Sequence, residues 1–273
     1  PITQPNHILL CCLAMLIKDA EIYQAGLNDL RIDRGIITDI GRLFPRPGET
    51  VVEASGGALL PGLNDHHIHF LSFAASLASV DCSPAAAPNS EGLAALLQQH
   101  VSGEGWLRMI GYHESIAGDI DCHWLDHHCP NRPVRLQHRT GRLWIFNSAG
   151  LAILKDALHK KAISPPLSAE SFATGRFYDA DRALADLLGR HLPPVKQASE
   201  QLASYGITGF ADMTPSNSQD TFALFQRLKS QDVILQDFLL ARSSAIGTAE
   251  LAANISGPVK IHLHESRLPA LPK

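Results

Sequence analysis

Cysteine is scarce in this chain, with five in 273 residues. So few, and an odd number, exclude a disulfide scaffold and point to a reduced, cytoplasmic protein. Aromatics make up 6% and charged residues 18%. The charged share falls below the roughly 25% usual in soluble domains, which implies much buried surface. Lys+Arg number 23 against 27 Asp+Glu, for a net charge of −4. With no run of Lys or Arg, nucleic acid is excluded as a partner. The apolar stretch Ile8–Ile17 is shorter than the roughly 20 residues that span a bilayer. It also lacks the basic region of a signal peptide, so no membrane partner is expected. There is no Gly-x-Ser-x-Gly, no P-loop and no Gly-x-Gly-x-x-Gly, which disfavours serine hydrolase, P-loop nucleotidase and Rossmann chemistry. Neither repeats nor low-complexity segments occur. What is present in quantity is hydrophobic residues, 45% of the chain, too many for disorder and enough for a real core.

The pattern along the chain divides it. Residues 1–14 read as an extension outside the fold, with Met15 as a natural start. From 15 to 58, short apolar or β-branched stretches (Met15–Tyr23, Asp29–Asp33, Ile36–Ile40, Thr50–Glu53) alternate with Gly and Pro, which describes a small β domain. Beyond it the period lengthens. Ser90 can cap a helix whose Leu93, Leu96, Leu97 and Val101 share a face, ended by Gly103. A second helix is expected from Pro194 to Tyr205, stopped by Gly206, and a third from Thr221 to Ser230. A short helix is expected over Ala249–Asn254, and strands over Ile207–Met213, Val233–Leu240 and Val259–Leu263. Strands alternating with helices predict a parallel sheet. Residues 84–182 look less regular, as an insertion would.

Fourteen His is an unusual number, and three of them sit in Leu59-Leu60-Pro61-Gly62-Leu63-Asn64-Asp65-His66-His67-Ile68-His69. On a strand, Asp65, His67 and His69 fall on one face. Two imidazoles at i and i+2 are placed to grip one metal ion, and the carboxylate before them can order a ligand or bind the ion itself. The competing reading is a solvated, inert His-rich turn. Cys122-His123-x-x-x-His127-His128-Cys129 resembles a zinc site superficially, but no second cluster follows at ligand spacing, and a polar helix end explains it better.

Pro61-Gly62 with Asp65-x-His67-x-His69, after a small β domain, resembles the amidohydrolase superfamily of metal-dependent hydrolases. Later segments are similar to its family 3 branch, in order: Gly111–Ser115, Arg132–Arg135, Arg139–Gly141, Asn147–Ala149, Gly206–Gly209 and Gly257–Ile261. The resemblance implies a (β/α)8 TIM-type barrel, with His67 and His69 at the end of its first strand as ligands to a divalent metal. Zn2+ is the expected ion, one or two per site. It also implies a metal-bridging group on the fourth strand. Lys260 matches that position by its Gly-Pro-Val-Lys-Ile context, and must be carboxylated to serve, since an ammonium would repel the metal. His262 and His264 depart from the family pattern. His138 and Arg139 are candidates to bind a substrate carboxylate or carbonyl, Arg by bidentate bonds.

The resemblance implies further ligands on the fifth and sixth strands, and on the eighth an Asp that takes the proton from the attacking water. Residues 59–273 hold about four barrel strands and the insertion near 84–182. The expectation is therefore an incomplete barrel preceded by a small β-sandwich domain, in a chain lacking the general-base Asp. Its open strand edges invite association, for instance as a homo-oligomer. The expected activity is hydrolysis of a non-peptide C–N bond in a small-molecule substrate, with Asp65 assisting. A mononuclear deaminase of the same superfamily and a non-catalytic remnant are the alternatives.

Overall fold

A computed structural model describes residues 14–160, 167–189, 191–242 and 256–259. The chain divides into two compact units, 1–63 and 64–273.

In the first unit, strands β1 (Met15–Ile22), β2 (Gly26–Asp33), β3 (Ile36–Gly41), β4 (Thr50–Glu53) and β5 (Ala58–Leu59) form one sheet. Its order is β3-β2-β1-β4, with β5 also on β1. The β2–β3 hairpin turns through Arg34 and Gly35 at φ 49° and 76°, the double left-handed conformation that matches strand twist and favours Gly in the second position. Ala20, Ile22 and Leu30 form a small core, with Ile17, Ile32, Ala54 and Leu59 packed against it. Beside it Arg31, 3% exposed, donates to Glu49 Oε1 at 2.6 Å and to the Phe44 carbonyl at 2.7 Å. The Arg31 guanidinium in turn holds the Glu49 carboxyl below its ordinary value.

The second unit runs β6 (Leu63–Ile68), α1 (Phe70–Leu77), β7 (Val80–Asp81), α2 (Ser90–Gln99), β8 (Leu107–Tyr112), α3 (Glu114–Ala117), α4 (Cys122–His128), β9 (Val134–His138), β10 (Leu143–Phe146), α5 (Ser148–Lys160), α6 (Ala169–Thr174), β11 (Arg176–Tyr178), α7 (Asp181–Leu188), α8 (Val195–Ser204), β12 (Ile207–Asp212), α9 (Gln219–Ser230), β13 (Asp237–Arg242) and β14 (Ser256–Val259). These strands make two sheets, ordered β11-β10-β9-β8-β7 and β14-β13-β12-β6.

The five-stranded sheet is mixed: β7, β8 and β9 are parallel, while β10 and β11 run antiparallel to their neighbours. Strict alternation covers both faces. Leu107, Met109, Val134, Leu136, Leu143 and Ile145 enter one core, while Trp144, Phe146 and Phe177 enter another. Asn147, fully buried, welds the assembly. Its Oδ1 accepts from the Val134 and Gly150 amides, and its Nδ2 donates to the carbonyls of Cys129 and Arg132. A Cβ at Gly150 would sit 3.0 Å from the Val134 oxygen and from the Trp106 ring, so only Gly lets α5 approach β9 this closely. The stretch 84–182 is thus far more regular than its sequence suggests.

The four-stranded sheet is parallel across β12, β13 and β14. One face packs on α1, α8 and α9 through Phe70, Ala198, Leu202, Phe210, Phe225, Phe238 and Leu240. Rings stack there, Phe70 on Phe210 at 4.7 Å, each such pair adding about 0.5–1.5 kcal/mol beyond its area. The helix signals hold in substance. Pro194 stands at the start of α8, and Ser218 forms a capping box with Thr221 ahead of α9. The N-cap of α2 is Asn89, whose Oδ1 takes the Gly92 amide at 2.9 Å, rather than Ser90. The strand expected from Val233 begins only at Asp237. The Val233 and Ile234 amides donate to the Leu228 carbonyl, and Ile234, 1% exposed, plugs the core below α9. The segment expected as the helix Ala249–Asn254 lies outside the described residues, as does the part of the expected strand beyond Val259.

Candidate metal centre

Strand β6 carries Asp65 and His67, and His69 follows it as the N-cap of α1. Ile68 packs into the aromatic core, so alternation turns His67 to the opposite face, where it is exposed. Asp65 is half-buried, and its Oδ1 accepts the His67 amide at 2.9 Å, a local turn that fixes the backbone between the two His. The His67 and His69 rings lie 5.7 Å apart, centroid to centroid, at 69°. Two imidazoles sharing one ion, at metal–N distances of roughly 2.0–2.1 Å, put their centroids roughly 5–6 Å apart. The pair therefore fits a shared divalent ion. Among the described residues no group of three His, Cys, Asp or Glu assembles into a metal cluster. A metal site built on these two imidazoles would therefore be incomplete among the described residues.

The support under His69 comes from far along the chain. His69 Nδ1 lies 3.0 Å from Thr214 Oγ1, across 145 residues of sequence. Thr214 is fixed by Asp212, which is 1% exposed and stands at the end of β12. Asp212 Oδ2 accepts from the Phe70 amide at 2.7 Å, and its Oδ1 accepts from the Thr214 amide and from Asn217 Nδ2 at 2.9 and 3.0 Å. Asn217 Nδ2 also donates to the Ala241 carbonyl at 3.0 Å, and the Met213 amide to that of Ile68 at 2.8 Å. One buried carboxylate therefore ties together the ends of β6, β12 and β13. It also supplies the start of α1 with the acceptor that His69 does not provide, negative charge at a helix N-terminus being favourable. Sequence reasoning missed Asp212, Thr214 and Asn217. The available signal was an acidic residue closing the apolar strand Ile207–Ala211.

The other candidates fall elsewhere. His138 ends β9 on the five-stranded sheet, with Nε2 at 2.9 Å from Glu114 Oε2 and Nδ1 at 2.8 Å from Thr140 Oγ1. Glu114 lies below the ordinary glutamate value, held there by its own backbone amide and then by His138. His138 lines a cavity of about 350 Å³ with Tyr112, Glu114, Arg142, Arg176 and Tyr178. Arg139 is exposed and does not line that cavity. Lys260, like His262 and His264, lies outside the described residues. The Cys122–Cys129 segment is α4 and its C-cap. Both thiols are buried, facing the carbonyls of Ala173 and Arg132, while His123 and His127 are exposed. The sulfurs and imidazoles there point apart, as a polar helix end requires.

The sequence profile of the amidohydrolase family matches residues 50–261. No curated protein matches the chain. Among solved structures, an uncharacterized metal-dependent hydrolase from Pyrococcus horikoshii OT3 is similar with a TM-score of 0.60 and 17% identity, over 84% of this chain and 48% of that one. A second uncharacterized metal-dependent hydrolase, from Pyrococcus furiosus, gives a TM-score of 0.58 and 19% identity, over 84% and 50%. The chain thus spans about half the length of the structures it matches.

Proposed function

Since the chain belongs to the amidohydrolase family, we propose that it carries the first metal-binding element of a hydrolase that cleaves a non-peptide C–N bond of an amide in a small molecule. The observation that carries this reading is the His67–His69 pair at 5.7 Å, with the His69 ring held by Thr214. His67 and His69 hold a divalent ion, in this proposal Zn2+, and Lys260 bridges a second one when carboxylated. Such an ion supplies polarisation of a carbonyl and activation of water. The rest is the work of side chains. Thr214 engages His69 Nδ1 and leaves Nε2 as the ligating nitrogen. Asp65 fixes the turn between the two His, and Asp212 holds the loop that carries Thr214. His138, its Nε2 on Glu114 and its Nδ1 on Thr140, contacts a substrate oxygen only by exchanging one of these bonds, and Arg139, exposed outside the cavity, offers a guanidinium.

In the same reading, β6, β12, β13 and β14 are the first four strands of a (β/α)8 barrel, their order in the sheet following their order in sequence, and residues 84–182 are an insertion. Residues 15–58 contribute one sheet of a β-sandwich; of the expected extension 1–14, residues 1–13 lie outside the described residues, and the Ala14 carbonyl accepts from the Thr50 amide at 2.9 Å. The free, buried thiols of Cys82, Cys122 and Cys129 support a reducing, cytoplasmic setting. Among the described residues no helix is long and apolar enough to cross a membrane.

Equilibrium dialysis against Zn2+ with metal analysis tests the proposal. The chain is expected to take up at least one ion, and His67→Ala and His69→Ala each to abolish uptake at that site. A wild-type chain that binds none would end the metal reading. Two ions, with a carbamate at Lys260 detected by 13C-bicarbonate NMR, would identify a binuclear site; one ion and a free Lys260 would identify a mononuclear one.

A further inference from the structure

Two arginines oppose each other on the five-stranded sheet, and the proposed metal chemistry uses neither. Arg108 and Arg135 are register partners on the parallel strands β8 and β9. Both project to the face opposite Leu107, Met109, Val134 and Leu136, which fill the first core. Like charges placed directly opposite on neighbouring strands repel, and here both side chains are half-buried, which strengthens the repulsion. Each guanidinium lies against an indole, Arg108 5.4 Å from the Trp144 ring centre and Arg135 5.8 Å from that of Trp106.

Their hydrogen bonding is unequal. Arg108 donates to Ser79 Oγ, and at 3.3 Å each to the Ala75 carbonyl and Gln137 Oε1, which ties α1 to the sheet. Arg135 has no hydrogen bond or ion pair from its side chain among the described residues, and its Nε is buried without a partner. No carboxylate pairs with either arginine there. Asp181, the acid whose charge reaches Arg108, is engaged by the Trp144 indole N–H at 2.9 Å. Burial, and then the charge of Arg135, push Arg108 down to about 10; burial alone lowers Arg135. A half-buried cation pair with an orphaned donor is costly, unless a negative group completes it.

We propose that Arg108 and Arg135 form an oxyanion site. A carboxylate or phosphate group lies edge-on to the Arg135 guanidinium, taking Nε–H and one Nη–H as a bidentate pair. Arg108 contributes the second positive charge, and Trp106 and Trp144 back the two guanidiniums. The inference rests on the register and bonding of this sheet, and stands whether or not the proposed metal site is correct.

The test is thermal melting and calorimetric titration of the full chain in sodium phosphate, sodium acetate and sodium chloride at equal pH and ionic strength. Phosphate or acetate is expected to raise the melting temperature saturably over chloride, and the stronger of the two identifies the group preferred. Arg135→Met should weaken that binding roughly tenfold or more, by removing a charge-assisted bidentate contact. In chloride it should melt at or above the wild-type temperature, because an unpaired cation has been replaced by an apolar chain of similar length. Arg135→Lys, which keeps the charge but loses the fork, should also bind more weakly, and reports on the site if the Met variant fails to fold. Arg34→Met, at an exposed turn of the other unit, should respond as wild type. A wild-type chain with no response to either oxyanion, or an Arg135→Lys variant that binds as tightly as wild type, would overturn the proposal.

Discussion

The two sheets of the larger unit use the same alternation to different ends. In the five-stranded sheet both faces are covered: β10 is buried at all four positions, Leu143 and Ile145 on one side, Trp144 and Phe146 on the other. The four-stranded sheet packs one face on its helices. Among the described residues its other face carries His67, exposed, and Leu239, 44% exposed, beside the buried Ala211 and Ala241. Closing both faces yields a scaffold, since apolar burial of about 25 cal/mol per Å² accrues on each side. A face left open can carry imidazoles and carboxylates without the cost of desolvating them. That is the face on which the candidate metal pair stands.

The comparison makes graded predictions. Phe146→Ala, at a fully buried ring flanked by Trp106 and Phe177, should cost about 3–5 kcal/mol in denaturant unfolding; a loss under 1 kcal/mol would mean the second core is not closed. Asp212→Ala strips the acceptor from three donors. It should cost on the order of 2–4 kcal/mol, and Zn2+ affinity should fall with it. Thr214→Val removes only the hydroxyl at His69 Nδ1. Its unfolding free energy should change little while Zn2+ affinity drops roughly 10- to 100-fold, with Thr214→Ser restoring it. Equal affinity in all three proteins would separate Thr214 from the metal site and leave His67 and His69 to be judged by their own variants. Leu239→Ser, on the open face, should stay within about 0.5 kcal/mol of wild type; a loss of 2 kcal/mol or more would show that this face is covered.

Much of this was legible locally. The strand-plus-turn pattern of residues 15–58, the helix before Gly206 and the strand after it are dictated by neighbours a few residues apart. So is the spacing of Asp65, His67 and His69. Residues 84–182 read as irregular because, among the described residues, most of their five complete helices and four strands are short. Their order comes from contacts such as those of Asn147, which joins residues 15 and 18 positions away. Val233 and Ile234 looked like strand because β-branched residues favour strands. They serve instead as a plug below α9, where burial outweighs local preference.

The sequence by itself determined that a pair of imidazoles with a carboxylate two positions before them would sit at the end of a strand, because a period of two and a Pro-Gly approach are properties of the chain alone. Only the tertiary structure decided what orients that pair. Thr214 reaches His69 across 145 residues, and Asp212 is buried among three strand ends. A buried carboxylate is stable only where several N–H groups converge on it, and such convergence exists only after the strands have paired. The facing of Arg108 and Arg135 was likewise fixed by strand register, which no local pattern in β8 or β9 specifies.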